Sequence, residues 1–193
     1  MTTQSDRQLL DAFLEGDERG FNELVRRYQE KVYWVARRIV IDHDDADDIV
    51  QDVFIKFHRS AKEFRGESSL YTWLYRVTVN ASLNALRRKK VREYLAIDEM
   101  TSQYESDVPR PDEALEAAEQ RSEIEKAVSR LPGKQRAVFV LRYYEEKSYE
   151  EIAAILKTSI GGLKANYFHA LKKVGNSLKK KYGPTHNSRH SQD

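Results

Sequence analysis

The chain of 193 residues contains no cysteine. It therefore forms neither disulfides nor thiolate zinc sites, and this composition fits a protein kept in a reducing cytosol. No apolar run approaches the roughly 20 residues needed to span a bilayer. The N-terminus MTTQSDRQLL also lacks the charged-then-apolar pattern of a signal peptide. We therefore expect a cytoplasmic protein.

Motifs of catalysis and metal binding are missing as well. The five histidines are scattered, neither HExxH nor GxSxG occurs, and Gly161-Gly162 lacks the Lys-Ser/Thr of a phosphate-binding loop. A calcium loop counted from Asp42 has Ala46 where an acid is needed and Asp47 where Gly is needed. We predict that the protein is not an enzyme and has no catalytic residue, metal site, cofactor or small-molecule substrate.

Charge is present in abundance and is segregated along the chain. The 33 Lys and Arg nearly balance the 31 Asp and Glu, which gives a formal net charge of +2. Residues 42–52 contain six Asp and no Lys or Arg, residues 98–119 contain eight acids against Arg110 alone, and residues 164–181 contain six Lys and no acid. Such blocks predict different partners for different parts of the chain.

Apolar spacing predicts an all-α protein of two small helical domains. Steps of three and four residues mark buried helix faces in a first domain, residues 6–93, and in a second, residues 113–181. Residues 94–112 are acidic and without periodicity, so we predict a flexible linker there. Residues 182–193 are predicted to be a disordered tail.

The second domain has the outline of a helix-turn-helix. Ser148 and Glu151 have the spacing of a capping box, and the short turn 157–159 leads into a Lys-rich helix over 160–181. We expect Leu163 and Leu171 to face the supporting helix. An amphipathic hairpin with a solvated Lys face is the alternative.

Aromatic and basic residues alternate in the segment FRGESSLYTWLYRVTVN, residues 64–80, which precedes the basic run 87–92. Rings stack on unpaired bases and basic side chains neutralise phosphates, so this segment predicts contact with separated DNA strands. We expect Ser68 to cap the helix here, and Trp73 and Leu74 to lie in the core. Core packing is the alternative for the other rings.

The Asp cluster of residues 42–52 has two main interpretations: helix-start electrostatics, or a docking surface for a basic partner. A nuclease site that uses magnesium is a third.

Taken together and in this order, the segments resemble a bacterial RNA polymerase sigma factor of the extracytoplasmic-function group. The matching stretches are DADDIVQDVFIKFHRS, FRGESSLYTWLYRVTVNASLNALRR and LPGKQRAVFVLRYYEEKSYEEIAAILKTSIGGLKANYFHALKK, and they cover most of residues 6–181. The resemblance implies a factor that binds core polymerase, directs it to specific promoters and helps melt the −10 region. A stand-alone helix-turn-helix regulator is the alternative.

The resemblance also implies the residues of three interfaces. Contact with the clamp helices of the polymerase β′ subunit would fall to Asp47, Asp48, Gln51, Asp52 and Phe54. The opened −10 element would meet Phe64, Arg65, Ser68, Tyr71, Thr72, Tyr75, Arg76, Asn80, Arg87 and Arg88. The duplex −35 element would meet Ser159, Lys164, Ala165, Asn166, Phe168, His169, Lys172 and Lys173.

Further partners implied are the β flap of polymerase and an anti-sigma factor, with the acidic linker in the RNA exit channel. The chain departs from the family pattern where Ser159, Gly161, Gly162 and Leu163 replace a Pro and a Gly-Thr-Val run, and where Asn166 stands in place of a frequent Arg. The −35 sequence therefore does not transfer from relatives.

Overall fold

The computed structural model describes residues 4–64, 68–95 and 115–183, and the regular elements in these ranges are all helical. The α-helices are α1 (Asp6–Leu14), α2 (Glu18–Val40), α3 (His43–Ser60), α4 (Leu70–Leu95), α5 (Leu115–Ser129), α6 (Gly133–Phe139), α7 (Tyr149–Leu156) and α8 (Ile160–Tyr182). A 3-10 turn (Ala61–Glu63) follows α3, and a π-helical turn (Val140–Tyr144) follows α6. None of the helices in these ranges is long and apolar enough to cross a bilayer. The predicted all-α class is confirmed.

Polar side chains at the helix starts explain where several helices begin. The predicted capping box is confirmed: Ser148 accepts from the backbone of Glu151, whose carboxylate accepts from the Ser148 backbone in return. Such boxes satisfy two of the backbone N–H groups that a helix start leaves unpaired. The α4 cap differs from the prediction, because the Thr72 N–H donates to Ser69 Oγ at 3.1 Å. The helix therefore begins after Ser69, one residue beyond the predicted cap Ser68.

The buried seam of α8 also differs in part from the prediction. Leu163 is buried as expected, but Leu171 is 44% exposed, and Ala170 and Val174 are buried instead. Eight residues turn a helix about 80° past a full number of turns, whereas seven residues fall only about 20° short. Ala170 therefore lies under Leu163, and Leu171 turns towards the solvent.

A first unit packs α1 to α4 around α2. Its core includes Leu24, Val32, Val53, Phe57 and Leu74, all at most 1% exposed. The second unit packs α5 and α6 against α8, with a core formed by Ala127, Val128, Leu131, Phe139, Ala170 and Val174.

A third apolar cluster joins the two units directly. It combines buried residues of α2 and α4 with buried residues of the second unit: Val35, Ile39, Tyr75 and Val79 from the first, and Ala137, Val138, Val140, Leu141, Ile152, Ile155 and Leu163 from the second. We call this contact the interunit face. The two predicted domains therefore share buried apolar surface, which favours their association in water.

Candidate nucleic-acid interface

A groove between α2 and α3 holds most of the residues predicted to bind polymerase. Asp47, Asp48 and Gln51 line it and are exposed, whereas Phe54 lies at its base and is 7% exposed. Asp52 lines a neighbouring hollow. An apolar floor with an acidic rim is complementary to a basic, amphipathic partner.

The Asp cluster contributes both to the start of α3 and to the groove between α2 and α3. Asp42 caps the helix by accepting from the Asp45 N–H at 3.0 Å, and Asp44 and Asp45 lie in the first turn, where the helix dipole favours negative charge. Asp47 comes a turn later and faces the groove. Within the described ranges, no three His, Asp or Glu side chains are grouped so that they could hold a metal ion.

One stripe of α4 carries the polar residues predicted to meet the −10 strand. Arg76, Asn80 and Arg87 are separated by four and seven residues, so they lie on one side of the helix. Asn80 and Arg87 are exposed, as is the neighbouring Arg88. Arg76 is engaged within the protein, because its Nη2 donates to the Ala154 carbonyl of α7 at 2.8 Å.

Tyr71 and Tyr75 lie on a different side of α4 and pack into the interunit face. Their ring centroids are 4.1 Å apart, and Tyr75 is 1% exposed. Burial, followed by the negative charge of Glu145, raises the pKa of the Tyr75 hydroxyl. In this arrangement of the units, Tyr75 is covered and Tyr71 is half-buried, and neither ring joins the stripe of Arg76, Asn80 and Arg87.

The remaining predicted −10 residues lie around the start of α4. Phe64 is half-buried and packs on the core of the first unit, and Ser68 is half-buried. The Thr72 hydroxyl is 2.9 Å from Ser69 Oγ. Arg65 lies outside the described residues.

The start of α8 is defined by a tight turn and a cap. Lys157 adopts a left-handed conformation with φ 50°, and Ser159 Oγ accepts from the Gly162 N–H at 3.3 Å. Ser159, predicted to touch DNA, therefore has a structural role in capping α8. Its cap supports a helix start that Gly161 and Gly162 would otherwise weaken.

The outer face of α8 gathers five of the residues predicted to read duplex DNA. They lie opposite the buried seam and are all exposed: Lys164, Ala165, Phe168, His169 and Lys172. Phe168 is 62% exposed and stands at the centre of this face. Lysine side chains can bind DNA phosphates, and an apolar ring can contact the methyl group of thymine in the major groove.

Asn166 and Lys173 lie at the border of that face and already have partners. Asn166 Nδ2 donates to the Gly162 carbonyl at 2.9 Å, and Lys173 Nζ donates to Gln135 Oε1 at 3.0 Å. These contacts compete with contact to bases or phosphates.

Comparison with known proteins gives two family matches that follow each other along the chain. Residues 24–92 match Sigma-70 region 2, and residues 121–174 match Sigma-70, region 4. The first covers α3 and most of α2 and α4, and the second covers most of the second unit.

Relatives match along nearly the whole chain. The RNA polymerase sigma-H factor of Pseudomonas aeruginosa is 32% identical over 92% of this chain and 96% of its own length. The ECF RNA polymerase sigma-E factor of Escherichia coli K12 is 34% identical over 90% of this chain and 94% of its own length.

Two solved structures share the fold. The sigma factor RpoE of Bartonella quintana, in complex with the anti-sigma factor NepR, superposes with a TM-score of 0.68 at 26% identity, over 82% of this chain and 96% of its own. CnrH, in complex with the cytosolic domain of CnrY, gives a TM-score of 0.67 at 25% identity, over 92% of this chain and 99% of its own.

Proposed function

Because the chain belongs to the extracytoplasmic-function group of the sigma-70 family, we propose a division of transcription initiation between its two units. The protein is an initiation factor that binds core RNA polymerase, directs it to specific promoters and helps melt the −10 region. The observation that carries this function is the order of the two family matches, region 2 before region 4, along one chain. Polymerase supplies the chemistry, and the protein acts where polymerase works, in the cytoplasm.

The first unit, residues 6–93, binds core polymerase and the melted DNA strand. The acidic groove receives the β′ clamp helices through Asp47, Asp48, Gln51 and Phe54, with Asp52 beside it. Exposure of Asp48 and Gln51 supports this role. The α4 stripe with Asn80 and Arg87 follows the non-template strand, because its cations neutralise phosphates while polar side chains contact bases.

The second unit, residues 113–181, reads the duplex −35 element through the outer face of α8 and contacts the β flap. Residues 94–112 connect the units through the RNA exit channel. RpoE was solved in complex with the anti-sigma factor NepR, and CnrH in complex with the cytosolic domain of CnrY. This supports an anti-sigma factor as a further partner.

Run-off transcription with core polymerase on fragmented genomic DNA tests this function. We expect transcripts from a defined set of start sites only when the protein is added, with permanganate-reactive thymines near −10. The same start sites used equally by core polymerase alone would contradict the function. Activity at only a few promoters would agree with it and would identify the −10 and −35 sequences.

A further inference from the structure

Glu145 joins the two units through a pair of partly buried hydrogen bonds. One carboxylate oxygen accepts from Arg38 Nη1 at 3.0 Å, and the other accepts from the Tyr75 hydroxyl at 2.8 Å. The side chains of Arg38 and Glu145 are only 27% and 14% exposed. Partly buried, charge-assisted bonds of this kind are stronger than exposed ion pairs.

Further polar contacts surround this pair. The Arg38 guanidinium lies 4.4 Å from the ring centroid of Tyr144, and Lys147 Nζ lies 4.7 Å from that of Tyr71. Arg76, a predicted strand-binding residue, donates to α7 instead. The second unit thus engages the side chains of Tyr71, Tyr75 and Arg76 at the same time.

Arg136 stabilises the interunit face through separate hydrogen bonds. Its guanidinium donates to the Ile39 carbonyl at 2.6 Å and to the Leu131 carbonyl at 3.2 Å. Ile39 belongs to the last turn of α2, whose carbonyls have no partner within the helix. Burial lowers the pKa of Arg136 to about 10, a cost that these carbonyl bonds offset.

The backbone around Glu145 is fixed by local hydrogen bonds. The Glu145 N–H donates to the Val140 carbonyl at 3.2 Å, and the Lys147 N–H donates to the Leu141 carbonyl at 3.0 Å. Glu146 between them has φ 52°. The hydrogen bonds of the Glu145 side chain to Arg38 and Tyr75 both go to the first unit. This residue therefore serves the contact between the units.

The groove between α2 and α3 stays accessible in the same arrangement. Asp47, Asp48 and Gln51 are exposed there, while Tyr75 is buried. The closed molecule thus presents its predicted polymerase-binding surface and covers part of its predicted strand-binding surface.

We propose that Glu145 holds the free protein in a closed, autoinhibited arrangement that must open before the Tyr71 and Tyr75 side of α4 engages a DNA strand. The closed arrangement itself depends only on the contacts of Glu145, Arg136 and the interunit face. Its inhibitory effect rests on the proposed function together with the predicted strand-binding roles of Tyr71, Tyr75 and Arg76, because Asn80 and Arg87 stay exposed in the closed form. Binding to polymerase through the open groove precedes binding to the melted strand.

Energy transfer between two dyes tests the closed arrangement in the free, full-length protein. The absence of native cysteine allows specific labelling of Lys62→Cys in the first unit and Lys180→Cys in α8, both at exposed positions. Glu145→Arg places two guanidinium groups against each other and removes the acceptor of Tyr75. We expect transfer efficiency to fall in this variant and to recover when Arg38→Glu is added.

Glu150→Arg is the matched control, because it makes the same charge change at an exposed position of α7. Its transfer efficiency should equal that of the unaltered sequence. The proposal is overturned if Glu145→Arg leaves the efficiency unchanged, or if Glu150→Arg lowers it equally. Circular dichroism identifies any variant that has lost its helices. If Glu145→Arg has lost them, Glu145→Gln is measured instead, and its transfer efficiency is also expected to fall.

Binding of a labelled random-sequence single strand of about 15 nucleotides tests the autoinhibition. If the closed form dominates, opening raises the apparent affinity by the inverse of the open fraction. We expect Glu145→Arg to bind at least about tenfold more tightly than Glu150→Arg. Equal affinities would mean that only the added charge matters and would overturn the autoinhibition.

The two proposals fail separately. Loss of promoter-specific run-off transcripts would contradict the initiation function and leave the dye measurement unaffected. A free protein that is already open would contradict the closed arrangement and leave the transcription result unaffected.

Discussion

Gly20 lies at the contact between α2 and α1, and a Cβ built there would clash with the Leu9 carbonyl oxygen. Gly161, in contrast, faces open space at the start of α8. Alanine generally favours a helix over glycine by up to about 1 kcal/mol. The two sites therefore predict opposite effects for the same substitution.

We expect Gly20→Ala to lower the free energy of unfolding by about 1–3 kcal/mol, because α1 must move away from α2. Gly161→Ala should raise it by up to about 1 kcal/mol. Urea unfolding followed by circular dichroism measures both. A stabilised Gly20→Ala protein would contradict the close packing of α1 on α2.

At the scale of elements, the outer face of α8 should dominate the electrostatics of duplex binding. Lys164 and Lys172 are exposed on this face. Removing one lysine–phosphate interaction should flatten the slope of log K against log salt by about 0.9. We expect Lys164→Ala and Lys172→Ala each to weaken promoter binding by the polymerase complex and to reduce this slope.

Lys126→Ala serves as the control for these variants, because it removes the same charge from α5, where Lys126 bonds Glu123 at 3.2 Å. Fluorescence anisotropy over a range of salt concentrations gives the slopes. A Lys126→Ala slope that falls as much as the α8 slopes would mean that α8 has no special role.

The groove between α2 and α3 gives a second prediction at this scale. Asp48→Arg should weaken binding to core polymerase by at least about tenfold, because close charge pairs at interfaces contribute more than about 1.4 kcal/mol. Glu30→Arg makes the same change at an exposed position of α2 outside the groove and should bind normally. Competition for core polymerase against the unaltered protein measures both, and equal competition by Asp48→Arg would contradict the docking role.

Local sequence patterns predict the individual helices well because caps and apolar spacing act over a few residues. The box at Ser148 and the burial of Leu163 follow from such patterns. The interunit face has no comparable signal, since Arg38 and Glu145 are 107 positions apart. The sequence predicts Tyr71 and Tyr75 as strand-binding rings, and their spacing fits burial in a second core equally well.

At the scale of the whole molecule, the interunit face should weaken in alkaline solution. Burial raises the pKa of Tyr71 and Tyr75 above the ordinary value of 10.0 and raises that of Tyr144 to about 12. A raised pKa means that the closed form holds these protons more tightly than a form in which the hydroxyls are exposed to water. Its contribution is therefore complete below about pH 10 and is lost as pH rises through the raised values.

The dye pair at positions 62 and 180 measures this opening. We expect transfer efficiency to be constant from about pH 7 to 9 and to fall above about pH 10, before the helices unfold. The charged groups that act on these hydroxyls include Arg38, Glu125, Glu145 and Lys147. A Tyr75→Phe protein, which has no hydroxyl to ionise there, should open at a higher pH. An identical profile for that variant would contradict the role of Tyr75.

The π-helical turn Val140–Tyr144 contains one residue more than an α-helical turn of the same rise would need. Deleting a single codon within it would restore a regular helix and rotate the following residues by about 100° around its axis. Glu145 would then point away from α2 and α4 even though its own codon was untouched. Among descendants of this gene, the number of residues in this one short turn would thus distinguish proteins whose two units pack together when free from proteins whose units do not.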